Sequence, residues 1–370
     1  MDICKLGDIA KFATGKLNSN AAQDNGKYPF FTCAPEALMI DDYSFDTEAI
    51  ILAGNNAEGN FHIQYFKGKF NAYQRTYVIE SLNENKVDTK YLYYALKTCL
   101  LHFKQISQGS ATKFLTAKIL NSFELPIPEI EIQKKIAGTL GNIDNKIKTN
   151  KAINENLEQQ AQAIFAQEFL NRSSIPDGWK AGSLLDIADY LNGLAMQKFR
   201  PSDGEIGLPV LKIKELRQGS CDSSSELCSP SIKPAYIIHD GDVIFSWSGS
   251  LLVDFWCGGT CGLNQHLFKV TSQKYDKWFY YAWTKHYLDR FIAVAADKAT
   301  TMGHIKREEL AKADILIPNS ADYSRIGSLL QPIYDLIIAN RIENKKLAEI
   351  KDSLLPKLMC GEIDISEIDC

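Results

Sequence analysis

Few residues in this 370-residue chain stand at spacings that could do chemistry. Cys257 and Cys261, with His266 nearby, have the spacing of half a zinc site. No second Cys/His pair follows at ligand spacing, so the competing reading is small apolar residues in a Gly-rich turn. Asp240-Gly241-Asp242 resembles a fragment of a calcium loop, but the remaining ligand positions hold Ile, Ser and Gly. A turn leading into a strand is the simpler expectation there, and Asp41-Asp42 reads as solvated loop. No Gly-x-x-x-x-Gly-Lys-Ser/Thr, no Gly-x-Gly-x-x-Gly behind a strand and no Gly-x-Ser-x-Gly occurs. Pro-Pro is absent too, and with it the Asn/Asp-Pro-Pro-aromatic motif that an adenine methyltransferase needs. The expectation is a chain with no catalytic, metal or cofactor site of its own.

Charge is distributed more tellingly. Basic residues number 41 against 45 acidic ones, a net charge of −4, yet some segments carry no acid at all. Gly59 to Ile79 holds His62, Lys67, Lys69 and Arg75, interleaved with Phe61, Tyr65, Phe66, Phe70, Tyr73 and Tyr77. Thr89 to Phe123 holds Lys90, Lys97, His102, Lys104, Lys113 and Lys118. Later, Phe255 to Tyr275 and Lys298 to Arg307 are acid-free and carry His266, Lys269, Lys274, Lys298, His304, Lys306 and Arg307. Such faces suit phosphate contacts; the plainer reading is aromatic core with scattered surface lysines. The expected DNA-facing side has Lys67, Lys69, Arg75, Lys104 and Lys113 in the first region and Lys298, Lys306 and Arg307 in the second.

The elements that would hold these residues occur twice. Leu6-Gly7-Asp8-Ile9-Ala10 echoes Leu184-Leu185-Asp186-Ile187-Ala188, and Gln74-Arg75 with Tyr77 echoes Gln265-His266 with Phe268. Tyr91 to Leu96 echoes Trp278 to Trp283, Ala111-Thr112 echoes Ala299-Thr300, and Leu125 to Pro128 echoes Ile315 to Pro318. The order is kept while the offset drifts, as loop insertions in a duplicated chain would produce. Strands are expected at Ala49–Ala53, Thr76–Ile79, Asp242–Ser246 and Leu267–Val270, and single helices at Leu92–Ile106 and Trp278–Val294. Ser173 to Gly178 reads as the linker between halves.

Behind each Ile-Pro lies a heptad seam. Ile136, Leu140, Ile143, Ile147, Asn150, Asn154 and Leu157 recur in type, 190 residues on, as Ile326, Leu330, Ile333, Ile337, Asn340, Asn344 and Leu347. Two long helices are predicted, Ile132–Glu168 and Tyr323–Leu355, the first roughly 55 Å long. Pro332 is expected to kink the second or delay its start, and Pro356 to end it. A narrow apolar seam needs a partner helix, and the obvious partner is the other repeat. If they pack antiparallel, Asn150 faces Asn344 and Asn154 faces Asn340, and the amides satisfy one another. Replacing Asn150 by Leu is then expected to stabilise the pair while loosening its register.

The fold class read from this pattern is α+β: two similar mixed α/β regions, each followed by a long helix, the two helices packing as a coiled coil. Domains are expected at 1–130 and 173–320, helices at 131–172 and 321–370, the latter with a tail. No apolar run reaches the roughly 18 residues of a membrane span, and no leader is visible. The nine cysteines are odd in number and show no framework, which suits reduced thiols. A cytoplasmic protein is expected.

Several motifs resemble the specificity subunit of type I restriction-modification systems. Lys5-Leu6-Gly7-Asp8-Ile9 resembles the opening of that family's first half, and Glu131-Ile132-Gln133-Lys134-Lys135-Ile136 the opening of its helix. Asn192-Gly193-Leu194-Ala195 with Leu208 to Ile213 resembles the start of a target recognition domain. Asp240 to Ser250 followed by Asn264-Gln265-His266 is the most specific stretch, and Gly109 to Thr112 before Pro126-Ile127-Pro128 completes the set. Two departures stand out: Ala53-Gly54-Asn55-Asn56 faces Ser246-Trp247-Ser248-Gly249 in the other half, and Asp297-Lys298 replaces Gly109-Ser110. The resemblance implies a non-catalytic subunit in which each half binds one part of a split double-stranded DNA target. Two modification (methyltransferase) subunits would bring S-adenosylmethionine, and restriction subunits with ATP and Mg would act as translocase and nuclease. No membrane partner is implied. The motifs add Ser110, Thr112, Lys212, His266, Thr300 and Thr301 to the DNA-facing set. The two regions would be target recognition domains, and their helices an antiparallel coiled coil that acts as a spacer of roughly 35–50 Å between half-sites. The alternative is a DNA-independent coiled-coil scaffold that assembles partner subunits.

Overall fold

A computed structural model describes residues 2–297 and 305–365. The chain divides into two compact units, Met1–Asn145 with Glu349–Cys370, and Lys146–Ala348.

In the first unit, Asp2–Lys5 pairs antiparallel with Glu124–Ile127. A six-stranded sheet follows in the order Ala10–Thr14, Thr76–Ser81, Phe45–Ala53, Ile63–Ala72, Tyr28–Phe31, Leu38–Ile40. The apolar run Ala49-Ile50-Ile51-Leu52-Ala53 is buried on both faces, which is why it reads as continuous rather than alternating. Ile50, Leu52 and Ile79 pack on the helix Thr89–Thr98, while Ala49, Ile51 and Val78 pack with Phe31 and Phe70. That helix is capped by the Asp88 side chain, which accepts from the Tyr91 N–H at 2.7 Å. The single helix expected to Ile106 is two, Thr89–Thr98 and Leu100–Ile106, because the chain turns at Cys99, whose N–H bonds back to Leu96.

The fully buried Gln133 side chain ties the first long helix to this unit. It accepts from the Asp88 N–H and donates to the carbonyls of Lys86 and Pro128. Leu355, Leu358, Met359 and Ile365 from the end of the chain close the same core beside Ile136, Ala137 and Leu140. Asp144 accepts from the Tyr94 hydroxyl at 2.7 Å and pairs with Lys351 at 2.5 Å.

The second unit repeats the plan. Lys180–Ser183 pairs with Asp314–Ile317, and a four-stranded sheet runs Asp189–Asn192, Leu267–Thr271, Val243–Ser246, Leu252–Phe255. Where the first unit has the single strand Ile63–Ala72, this unit has Leu252–Phe255 and Cys261–Leu263. The interruption is held by the Trp256 indole N–H on the Gly259 carbonyl at 2.6 Å. Cys261–Leu263 thereby joins a second sheet with Leu227–Cys228, Leu208–Leu211 and Ile237–Ile238. The expected helix Trp278–Val294 is again two, Lys277–His286 and Leu288–Asp297, broken at Tyr287.

The long helices run Ile130–Phe165, continued by a wider turn Ala166–Leu170, and Ser320–Met359. Pro332 does not delay the second, which already starts at Ser320. Pro356 does not end it either. The end comes at Gly361, whose φ of 77° and N–H bond to the Leu358 carbonyl form a glycine cap.

Within the second unit the two helices are antiparallel. The Asn150 amide donates to Asn344 Oδ1 at 2.9 Å, and the Asn340 amide donates to Asn154 Oδ1 at 2.8 Å. A parallel pair would have set Asn150 beside Asn340. Asn150, Asn154 and Asn340 are buried and Asn344 is half-buried, so these amides face each other rather than water. Of the seam, Ile136, Leu140, Ile326, Leu330 and Ile337 are buried; Ile143, Ile147, Leu157, Ile333 and Leu347 are half-buried.

Arg325 grips Glu168 through two contacts of 2.8 Å, and Arg172 approaches the same carboxylate at 3.0 Å. The Arg325 contact holds the Glu168 carboxyl below its ordinary range. A depressed pKa adds stability that is present above the unfolded carboxylate's value and is lost as pH falls through the folded one. The gap in melting temperature between wild type and Glu168→Gln is therefore expected to be largest near neutral pH and to close on acidification below about pH 4. A gap that persists unchanged at pH 3 would contradict this.

Candidate nucleic-acid interface

The first unit's candidate site is built on a close approach. Gly15, just beyond the strand Ala10–Thr14, lies so near the Ala72 carbonyl that a Cβ would collide with it. The Gln74 N–H bonds the Leu17 carbonyl at 2.9 Å and the Gln74 side chain bonds Asn18 at 2.8 Å, leaving Gln74 and Arg75 exposed on the turn. The Gly54 N–H bonds the Arg75 carbonyl at 2.9 Å, and the Leu115 N–H bonds the Gly54 carbonyl at 2.8 Å. Asn55 and Asn56 pair with Phe114 and Lys113. Gly59 fits between Lys104 and Lys113, and Lys104 Nζ donates to Asn60 Oδ1 at 2.8 Å. Ser110 and Thr112 stand exposed on a hairpin closed by Gln108 and Phe114, with Gly109 at a φ of 99°. Arg75, Lys104, Ser110, Thr112 and Lys113 thus gather at one end of the sheet.

Lys67 and Lys69 do not join them. Their strand carries Lys69 six residues beyond Ile63, about 20 Å along the sheet. Lys67 lies opposite Glu48 in the ladder and pairs with it at 2.7 Å; Lys69 lies opposite Asp46 and sits 4.5 Å from the Tyr43 ring centroid. Burial pushes the Glu48 carboxyl up, but Lys67 and the Tyr65 hydroxyl outweigh it and hold the group below its ordinary value. The acid-free stretch of sequence is therefore not acid-free in space, and the expected single lysine face is corrected on that ground.

The second unit uses the same device. Gly193, just beyond Asp189–Asn192, lies against the Asn264 carbonyl with no room for a Cβ. The Leu194 N–H bonds Leu263 at 2.9 Å and the Gly193 N–H bonds Leu267 at 3.0 Å. The turn so placed carries the half-buried His266, whose ring centroid is 6.3 Å from that of Trp247. The Ile305 N–H bonds the Trp247 carbonyl at 2.9 Å, which brings up Lys306 and Arg307 at the start of the short helix Arg307–Ala311. Lys212 follows the strand whose Leu211 carbonyl accepts from Asn264, but its Nζ is paired with Glu226 at 2.6 Å. Lys298, Thr300 and Thr301 lie outside the described residues. His266, Lys306 and Arg307 are brought together; Lys212 is near them with its charge already matched.

Asn60 escaped sequence reasoning, because a lone asparagine carries no spacing signal; Asn55, Asn56 and Asn192 stood only inside motifs, not among the site residues. Trp247 was visible only within the family motif and as a difference between the halves. Cys257 and Cys261 are both buried, in different core clusters. Asp242 pairs with Lys269 at 2.7 Å, and Asp240 accepts from the Gly259 N–H at 2.7 Å. Among the described residues no group of three or more His, Cys, Asp or Glu is placed to hold a metal ion. None of the described helices is long and apolar enough to cross a membrane.

A family model described as type I restriction modification DNA specificity domain matches residues 1–159 and 176–352. The type I restriction enzyme EcoDI specificity subunit of Escherichia coli is 27% identical over 402 residues, spanning 97% of this chain and 88% of that one. The MjaIX specificity subunit of Methanocaldococcus jannaschii is 29% identical over 309 residues, spanning 76% and 71%. In fold, the chain is similar to the crystal structure of a type I restriction-modification system S subunit from M. genitalium. The TM-score is 0.67 at 14% identity, covering 99% of this chain and 96% of that one.

Proposed function

The chain belongs to the type I restriction-modification DNA specificity family, and from that premise we propose that it is the sequence-specific DNA-binding subunit of a type I complex, each unit reading one part of a bipartite target. The observation that carries this reading is the repeated turn. Each unit presses a glycine against a sheet-end turn and presents a polar or charged group there, Arg75 in one and His266 in the other. Cations flank both turns, Lys104 and Lys113 in the first unit and Lys306 and Arg307 in the second. Different side chains on one shared scaffold are what an asymmetric target requires.

In this reading the subunit does no chemistry. Double-stranded DNA and two modification subunits are its partners, and restriction subunits join them. S-adenosylmethionine, ATP and Mg bind those partners, in the cytoplasm. The antiparallel helices serve as the spacer between half-sites. The net charge of −4 is compatible with this, because partner subunits can supply much of the phosphate neutralisation.

Salt titration of DNA binding by the assembled complex tests the reading. Removing one cation that neutralises a phosphate lowers the salt slope by about one. Lys104→Ala and Lys113→Ala are each expected to do so, while Lys67→Ala leaves the slope unchanged because Glu48 already matches its charge. An unchanged slope for both of the first two would remove the assignment. A DNA-independent scaffold would show no salt-dependent DNA binding at all.

A further inference from the structure

The two units place different groups at one shared backbone position. Gly54 and Trp247 each offer a carbonyl to the N–H that opens the next segment, Leu115 in the first unit and Ile305 in the second. In the first unit nothing larger than glycine fits. A Cβ on Gly54 would collide with the Arg75 carbonyl and meet the Tyr77 ring at 3.1 Å, and the Tyr77 hydroxyl is fixed on the Leu115 carbonyl at 3.0 Å. In the second unit the residue matching Tyr77 is Phe268, which has no hydroxyl to fix, and an indole stands on it. The Trp247 and Phe268 rings stack at 5.5 Å with 29° between their planes. The Trp247 indole N–H donates to Asn192 Oδ1 at 3.0 Å, so both the tilt and the direction of the ring are set. Beside it opens a cleft of about 530 Å³, lined among others by Asn192, Trp247, Phe268, Ile305, Lys306 and Arg307.

We infer that Trp247 is a base-reading side chain of the second unit: its cleft takes the edge of a base pair of the second half-site against the indole, with Lys306 and Arg307 on the adjoining phosphates. The inference rests on the DNA-binding reading and goes beyond it, since it names the residue and the kind of contact. An indole whose N–H is already engaged offers ring contact and shape rather than hydrogen bonding. On duplex DNA it suits the apolar edge of a base pair, the thymine methyl group above all, and the nearby cations suit the backbone on either side. At Gly54 the first unit has no room for such a side chain. At the matching turn it presents the Arg75 guanidinium, whose fork matches the O6 and N7 acceptors of guanine. The two units would thus read by different chemistry from the same scaffold.

The test uses the complex assembled with its modification subunits and a target mapped from host methylation. Competition binding is measured on the full target and on duplexes with the first half, the second half or both halves scrambled. Wild type is expected to lose affinity when either half is scrambled. W247A should lose discrimination of the second half by roughly tenfold or more and keep discrimination of the first. W247F, which keeps a ring, should retain most of it. R75A should show the reverse, losing only the first half. If W247A does not fold, W247L keeps apolar bulk without the ring and should show the same loss. Undiminished second-half discrimination in W247A or W247L overturns the inference, as does equal loss on both halves in a protein with the wild-type melting temperature. A wild type that prefers no target over scrambled DNA would instead overturn the DNA-binding reading on which it rests.

Discussion

Exchanging residues 1–128 for the matching region of another family member is expected to rewrite one half of the methylated sequence completely and leave the other half intact. Each unit has its own sheet, its own core and its own glycine-pressed turn, so neither needs the other to present its reading groups. The structure also shows where such an exchange would fail. The first core is closed by Ile136, Ala137 and Leu140 and by Leu355, Leu358, Met359 and Ile365, all outside residues 1–128. Gln133 reaches back to Lys86 and Asp88, and Asp144 holds both Tyr94 and Lys351. An incoming region that mismatches these groups leaves cavities or unpaired polar atoms, each worth about 1–3 kcal/mol or more. Exchanging residues 1–145 together with 349–370 keeps that core whole and is expected to fold even for those mismatched incoming regions. Mapping methylated bases in host DNA reads the outcome. A folded hybrid whose target changes in both halves would show that the units do not read independently.

The second expectation concerns the asparagines between the helices. Asn154→Leu alone is expected to destabilise the protein by about 1–3 kcal/mol, and Asn154→Leu with Asn340→Leu to restore or exceed wild-type stability. The Asn340 amide donates to Asn154 Oδ1, and the Asn154 amide donates to the Ile337 carbonyl at 3.2 Å. Leucine at 154 strands a buried donor that has nowhere else to go, whereas leucine at both positions removes donor and acceptor together. This changes the sign drawn from sequence, where a single Asn150→Leu looked stabilising. Asn150 donates to Glu343 at 2.7 Å as well as to Asn344, so its removal costs a charge-assisted bond. Against that stands one gain, because Asn150 Oδ1 is buried without a hydrogen-bond partner. A double-mutant cycle by chemical denaturation measures the coupling between 154 and 340. Additive losses would mean the two amides do not act as a pair. If the pair sets register, the leucine double variant should also discriminate half-site spacing less sharply than wild type.

Periodicity and duplication are local arithmetic, and what depended on them was legible in the residues alone. The heptad spacing told of two long helices, and the repeated asparagines told which residue must face which if the pair ran antiparallel. The repeated turn residues Gln74-Arg75 and Gln265-His266 marked the same place in both halves. Charge was different, because its partners come from other strands. Glu48 and Asp46 stand opposite Lys67 and Lys69 only once the sheet has formed, and Glu226 meets Lys212 only where the strand Leu208–Leu211 pairs with Leu227–Cys228. An acid-free run in sequence says nothing about the acids that pairing brings beside it. The same holds for the ends of the chain: Leu355 to Ile365 belong to the first core through contacts more than 200 residues apart. Trp247 stood in the sequence inside a family motif and as a difference between the halves, with nothing to give it a role. Only the packing of its ring on Phe268, and the bond from its indole to Asn192, turned it into the wall of a cleft, since a cleft exists only between surfaces that folding brings together.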